Sequence, residues 1–382
     1  MKMAEKMPKI LKRHYNLKNL IQKGKVLVIY GPRRVGKTTL LNSFLSKTKL
    51  KYKLDSGDNV KTQEVLRSQD FSQILEYAAG YELLAIDEAQ HIPNVGMGLK
   101  ILVDQQPKLI IVATGSSSFD LAQQIGEPLT GRKRTIILYP LSQGELLSEC
   151  NKFELKQKLE EFLVFGSYPE MITADNRSEK IRILEELVNS YLLKDVLTMG
   201  GIKGARPIFD LLKLLAFQVG SEVSLNELAM QVKLDIKTID RYLDILEKSF
   251  VIKRINGFSR NLRKEIINKS KYYFFDNGIR NGVISQFNDL SDRNDTGLLF
   301  ENFIVMERIK KQAHKSIYAN NYFWRTYDQK EIDWVEEREG KLFGYEIKWS
   351  DKRTKEPKLW RQTYREAKYE TINRENYLEF II

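Results

Sequence analysis

Residues 25–45, KVLVIYGPRRVGKTTLLNSFL, leave little freedom in how the first part of this chain can fold. KVLVIY reads as a buried strand. GPRRVGKTT (31–39) completes a G-x-x-x-x-G-K-[ST] loop, and LLNSFLSK continues with helical spacing. Strand, glycine loop and helix in this order make a phosphate cradle. Gly31 and Gly36 let the backbone curl so that its N–H groups face phosphate oxygens, and the helix N-terminus adds its positive dipole end. Lys37 is expected to reach the β- and γ-phosphates, and the Thr38 hydroxyl to ligate Mg²⁺. The expected cofactors are therefore ATP and Mg²⁺. The loop residues expected to hold them are Gly31, Pro32, Arg33, Arg34, Val35, Gly36, Lys37, Thr38 and Thr39.

Short apolar strands alternate with amphipathic helices through the first half, the pattern of a parallel α/β sheet. YELLAIDEAQ (81–90) ends in Asp87 and Glu88, where a buried strand meets the ligand edge of such a sheet. Asp87 is expected in the Mg²⁺ shell and Glu88 beside the attacking water. KLIIVATGSSS (108–118) ends in small hydroxyl residues, of which Thr114 or Ser116 is a candidate γ-phosphate sensor. Basic residues lead into a further strand at LTGRKRTIILYPLS (129–142). Arg132 or Arg134 there is a candidate arginine finger, and a solvated basic turn explains the pattern equally well.

With 382 residues the chain has room for two or three domains. No apolar run approaches a membrane span, and the basic start lacks the apolar stretch of a secretion signal. A single cysteine, Cys150, excludes an intrachain disulfide and a Cys-rich zinc site. A cytoplasmic protein without a membrane role is expected. The net charge of +12 favours a polyanionic partner.

Residues 153–200 read as helices broken by GSYPE (166–170), expected to form a lid. In 205–276, three helices precede two strands, VIKRINGFSRN and KYYFFD. Ser224 and Glu227 suggest a capping box. In the third helix Ile236, Ile239, Leu243 and Leu246 form the buried stripe, with Lys237, Thr238 and Arg241 outward. Three helices and a wing make a winged helix, whose third helix is the DNA-reading candidate. Seven Lys/Arg residues and one acidic residue lie between Lys253 and Lys271, a density suited to phosphate contacts. Lys253, Arg254, Arg260 and Arg263 are the expected contacts from this stretch. Protein docking is the bland alternative.

EIDWVEEREGKLFGYEIKWS (331–350) reads as a hairpin. Residues two apart share a strand face, so Glu346 and Lys348 point together and Asp333 lies across from them. Two carboxylates can bind Mg²⁺ and a lysine can orient water for phosphodiester attack. Glu301, near the start of the helix GLLFENFIVMERIKK (297–311), could complete the metal set. Charged cross-strand pairs explain the same pattern. A later helix is expected at KLWRQTYREAKYE.

In order, GPRRVGKTTLL, LLAIDEAQ, TGSSS, LTGR, LYPLS, FGSYPE, KDVL, KYYFFDNGIRNGV, FENFIV, EIDWV and YEIKWS cover nearly the whole sequence. The set resembles a group of prokaryotic AAA+-like ATPases that join a P-loop core to a winged helix and a restriction-endonuclease-like domain of the PD-(D/E)xK type. The resemblance implies ATP and Mg²⁺ at Lys37, Thr38 and Asp87. It raises Arg132 as an arginine finger, which requires a homo-oligomer such as a ring. It maps the nuclease positions onto Glu301, Asp333, Glu346 and Lys348. The expected fold class is α/β, with a P-loop core (1–150), helical lid (151–204), winged helix (205–276) and restriction-endonuclease-like domain (277–382). The expected activity is ATP hydrolysis coupled to binding and remodelling of duplex or branched DNA. An ATP-gated nuclease and a nucleotide-controlled protein switch are the alternatives.

Overall fold

A computed structural model of the chain describes residues 10–116, 128–192, 196, 205–258, 270–326 and 330–382. It divides into two compact units, Met1–Leu141 with Ile172–Asp175, and Ser142–Met171 with Asn176–Ile382.

The first unit is a parallel five-stranded α/β sheet. Its strands are β1 (Val26–Tyr30), β2 (Tyr52–Ser56), β3 (Leu83–Asp87), β4 (Ile110–Gly115) and β5 (Lys133–Ile137), in the order β2-β3-β4-β1-β5. Every pairing is parallel. Helices α1 (Lys37–Leu45), α2 (Val60–Arg67), α3 (Phe71–Ala78) and α4 (Val95–Gln105) belong to it. β1 and β4 are buried throughout, and β3 is buried up to Ile86. Such continuous apolar runs are what a sheet covered on both faces requires. β2, at the edge, exposes Tyr52 and Leu54. Because β4 lies between β1 and β3, the carboxyl ends of these three strands come side by side.

The second unit is built on a seven-stranded sheet in the order β12-β11-β10-β9-β7-β8-β6. The strands are β6 (Glu222–Val223), β7 (Ile252–Gly257), β8 (Ser270–Phe274), β9 (Asn320–Arg325), β10 (Glu331–Arg338), β11 (Lys341–Ile347) and β12 (Lys368–Ile372). β7 pairs antiparallel with β8 and parallel with β9, so one sheet runs through residues 205–276 and 277–382. The helices that position its polar groups are α5 (Leu159–Phe165), α6 (Ala205–Phe217), α7 (Leu225–Val232), α8 (Ile236–Lys248), α9 (Asn277–Val283) and α10 (Thr296–Lys315). Short helices α11 (Lys358–Thr363) and α12 (Tyr377–Ile381) complete the set used below.

Three local expectations are corrected. Lys368–Ile372 is not helical. It pairs in parallel with Phe343–Ile347, which buries Thr371 and Ile372, and the expected helix shrinks to α11. Ile236 leaves the buried stripe and is exposed in the first turn of α8, while Tyr242 and Ile245 join Ile239, Leu243 and Leu246 inside. Ser224 caps α7 by accepting from the Glu227 N–H at 3.4 Å, but the Glu227 carboxylate accepts from Gln231 instead of closing a capping box.

Between the pairs Ile332↔Trp324 and Val335↔Tyr322, β10 carries one more residue than β9. This bulge lets Ile332 and Val335, three apart in sequence, enter the same core with Trp324, Leu342, Trp360 and Tyr364. Asp333 sits in the bulge.

Candidate functional site

The loop after β1 turns tightly under the end of β5. Gly31 has φ +151, and a Cβ there would fall 2.2 Å from the Leu138 carbonyl oxygen, so only glycine fits. Gly36, at φ +91, is the N-cap of α1. Pro32 and Val35 are buried, Arg33 and Arg34 half-buried, and Thr38 and Thr39 exposed. Lys37 is buried and its ammonium donates to the carbonyls of Gly31 and Pro32, both at 2.9 Å. The side chain thus lies along the loop.

Thr38 Oγ1 donates to Asp87 Oδ2 at 2.7 Å, and the Thr114 hydroxyl bonds the other oxygen, Oδ1. Two hard oxygen donors, from α1 and from the end of β3, therefore stand side by side. That donor set fits magnesium in a phosphate loop. Glu88 has a left-handed backbone (φ 50), and its N–H donates to Thr114 Oγ1 at 3.2 Å. Gln90 Nε2 bonds the Glu88 carboxylate and also donates to Ser116 Oγ at 3.1 Å. Thr114 and Ser116 thus both reach this acidic pair, Thr114 through Asp87 and Ser116 through Gln90.

Sequence reasoning passed over Gln90 and Arg13. The Arg13 guanidinium donates to the Val35 carbonyl at 2.6 Å and the Tyr139 carbonyl at 2.5 Å, tying the glycine loop to the segment after β5. A basic amino-terminal stretch was the only sequence signal for it. Arg132 pairs with Asp104 of its own chain at 2.6 Å, and Arg134 is exposed.

In the second unit, Asp333, Glu346 and Lys348 gather at one end of the hairpin, and Glu301 approaches them from α10. Lys348 Nζ lies 2.8 Å from Glu346 Oε1 and 3.5 Å from Asp333 Oδ2, which also accepts the Ile347 N–H at 2.9 Å. Glu346 Oε2 is buried without a hydrogen-bond partner among the described residues. Three further residues enter that the hairpin pattern could not reveal. The Lys271 ammonium, from β8, pairs with Glu331 and stands 3.5 Å from Glu301 Oε1 and 3.7 Å from Asp333 Oδ1. Tyr273 donates to Glu301 Oε1 at 2.8 Å.

Burial pushes the Glu301 carboxyl up to about 7, a rise that Lys271 opposes and Asp333 adds to. Burial likewise raises Glu346 to about 7, reinforced by Asp333. For Lys271 burial favours the neutral amine, but Glu301, Asp333 and Glu331 together outweigh it and raise its pKa. Lys348 is raised in the same sense by Asp333 and Glu346 against burial. Among the described residues, no group of three or more His, Cys, Asp or Glu side chains is arranged to hold a metal ion.

Of the expected DNA contacts, Lys237 and Arg241 are exposed on α8. Thr238 is engaged with Asp235, its N–H donating to Oδ1 at 2.9 Å and its hydroxyl to Oδ2 at 2.5 Å. Lys253 pairs with Glu247 at 2.6 Å. Arg254 pairs with Asp240 at 2.7 Å and donates to the Tyr272 hydroxyl at 2.8 Å. Arg260 and Arg263 lie outside the described residues.

Residues 23–147 match a family model described as an AAA domain. Residues 156–290 and 296–377 match two domains of unknown function, DUF8612 and DUF4143. The chain is 27% identical to the uncharacterized protein Rv2008c of Mycobacterium tuberculosis, over 90% of this chain and 74% of that one. It is 26% identical to the uncharacterized protein MJ1544 of Methanocaldococcus jannaschii, over 96% and 85% of the two chains. Among solved structures, a signal transduction ATPase with numerous domains and a tetratricopeptide repeat sensor, from Pyrococcus horikoshii, aligns with a TM-score of 0.28 at 13% identity. That alignment covers 75% of this chain and 43% of the Pyrococcus chain. The FIGL-1 AAA domain in complex with ADP aligns with a TM-score of 0.26 at 14% identity, over 59% of this chain and 71% of that one.

Proposed function

We propose that the chain is a magnesium-dependent ATPase whose first unit binds and hydrolyses ATP. The observation that carries this reading is the 2.7 Å contact between Thr38 and Asp87 beneath a glycine loop that also presents Lys37. The AAA-domain match over 23–147 supports it independently.

Bound Mg²⁺ would supply neutralisation of the β- and γ-phosphate charge, held by Thr38 and the Asp87 shell. Lys37, whose ammonium now bonds two loop carbonyls, exchanges them for phosphate oxygens. The loop N–H groups orient the phosphates along the α1 axis. Glu88 accepts a proton from, or orients, the attacking water, once Gln90 releases its carboxylate. Ser116, joined to Gln90, gives the γ-phosphate end a route to Glu88. Arg132 acts on a neighbouring copy only if its bond to Asp104 opens. Steady-state ATP turnover with Mg²⁺ tests the reading. Lys37→Ala and Glu88→Gln should each lower turnover by about 100-fold or more, the scale of removing a charge-stabilising or water-activating group.

In the same reading the second unit is the effector, directed to duplex or branched DNA. The helix–strand–helix–helix–strand–strand order of α6, β6, α7, α8, β7 and β8 supports a winged helix, and α10 with the β9–β11 ladder supports a restriction-endonuclease-like fold. Lys237 and Arg241 are the exposed candidates for phosphate contact. DNA binding should weaken steeply with salt, and Lys237→Glu with Arg241→Glu should flatten that dependence. Salt-independent or absent binding would remove DNA from the reading. The competing reading, Mg²⁺-dependent cleavage, draws on the convergence of Asp333, Glu346 and Lys348, and its test is nicking of plasmid DNA lost in Asp333→Ala.

A further inference from the structure

We propose that Lys271 is the resident cation of the cluster formed by Glu301, Glu331 and Asp333, standing in the place a divalent ion would take. An ammonium has three N–H bonds, and three carboxylates from α10 and β10 converge on this one. Its nitrogen pairs with Glu331 and lies 3.5 Å from Glu301 and 3.7 Å from Asp333. The Lys271 side chain is only 2% exposed, and the Phe323 ring closes a further side with its centroid 5.4 Å from the nitrogen. The fourth acidic group, Glu346, is held by a second ammonium, Lys348, which also faces Asp333 Oδ2.

Both Asp333 oxygens are therefore occupied, Oδ1 by Lys271 and Oδ2 by the Ile347 N–H and Lys348. A magnesium or manganese ion bridging Glu301 and Asp333 would have to share its position with a buried positive charge. The residues do not fit a divalent ion while β8 keeps its pairing with β7. Lys271 instead fastens β8 to α10 and β10 through charge, and the nuclease-type constellation is neutralised from within the chain. This inference is independent of ATP hydrolysis.

The test is Mn²⁺ binding to the full chain without nucleotide, followed by the electron paramagnetic resonance of free Mn²⁺ and by thermal unfolding. Wild type should show no Mn²⁺ binding that Asp333→Asn removes. Lys271→Met should gain one bound Mn²⁺ per chain and a melting midpoint that rises with Mn²⁺, both lost again in Lys271→Met with Asp333→Asn. If Lys271→Met does not fold, Lys271→Met with Glu331→Gln removes one of the carboxylates that faced Lys271 and carries the same expectation. Asp333-dependent Mn²⁺ binding by wild type would overturn the proposal, as would a folded Lys271 variant that gains no Mn²⁺ site. Should neither variant fold, the wild-type measurement decides between the two outcomes.

Discussion

Lys37, Thr38 and Asp87 were readable from sequence because a glycine loop between a strand and a helix admits few arrangements, and each side chain's position follows from its place in that order. Asp333, Glu346 and Lys348 followed from the two-residue period of a hairpin. Lys271 did not, since a lysine opening the run KYYFF reads as a strand end until the sheet places it against α10 and β10. Glu331 was hidden for a related reason, because its partners Lys271 and Arg325 come from β8 and β9, which only the folded sheet brings beside it. The crowding has a consequence for pH. Glu301 and Glu346 are raised from 4.5 to about 7 in the folded chain, so each keeps a proton that the unfolded chain releases. Their contribution to stability is full below about pH 4.5 and is lost as pH rises to about 7, on the order of 1–3 kcal/mol in all. The urea midpoint of wild type should fall more steeply from pH 5 to pH 8 than that of Glu301→Gln. Parallel profiles would contradict this origin.

At the scale of elements, β1, β3 and β4 were plain because their apolar runs are unbroken, whereas the edge strand β2, YKLDS, offers no such run and was passed over. β12 was missed because KYETI alternates weakly and gains its strand character from β11 beside it. The bulge at Asp333 was also invisible, since it depends on β9 supplying one residue fewer. The motifs FGSYPE and DNGIRNG, which sequence alone could only quote, have a structural explanation. Asn277 and Asn281 donate to the Leu163 carbonyl at 3.3 and 3.0 Å, and Asn281 donates to Val164 at 2.8 Å, filling acceptors left open at the end of α5. Asp276 caps α9 through the Gly278 N–H and accepts the Ser167 N–H, both at 2.8 Å. Asn281 also accepts from Arg280 and Arg293 at 3.0 and 3.1 Å. Asn281→Ala strands several buried groups at once and should cost about 2–4 kcal/mol, read from urea unfolding. A loss under about 0.5 kcal/mol would show that water replaces the amide.

For the whole molecule, the net charge of +12 pointed towards a polyanion, yet Lys253 and Arg254 spend their charge on Glu247 and Asp240. A count of basic residues cannot reveal these pairings, because the acids come from α8, the helix that precedes β7. Among the described residues, no helix is long and apolar enough to cross a membrane. The two units differ in their chemistry, with the Thr38 hydroxyl and the Asp87 carboxylate side by side in the first and carboxylates matched by ammonium groups in the second. The proposed ATPase chemistry of the first unit is tested most directly by ATP turnover of the full chain with Mg²⁺, with and without duplex DNA, beside Lys37→Ala. Magnesium-dependent release of phosphate is expected, falling about 100-fold or more in the variant. Equal turnover in Lys37→Ala, or no ATP turnover by the wild-type chain under either condition, would contradict it.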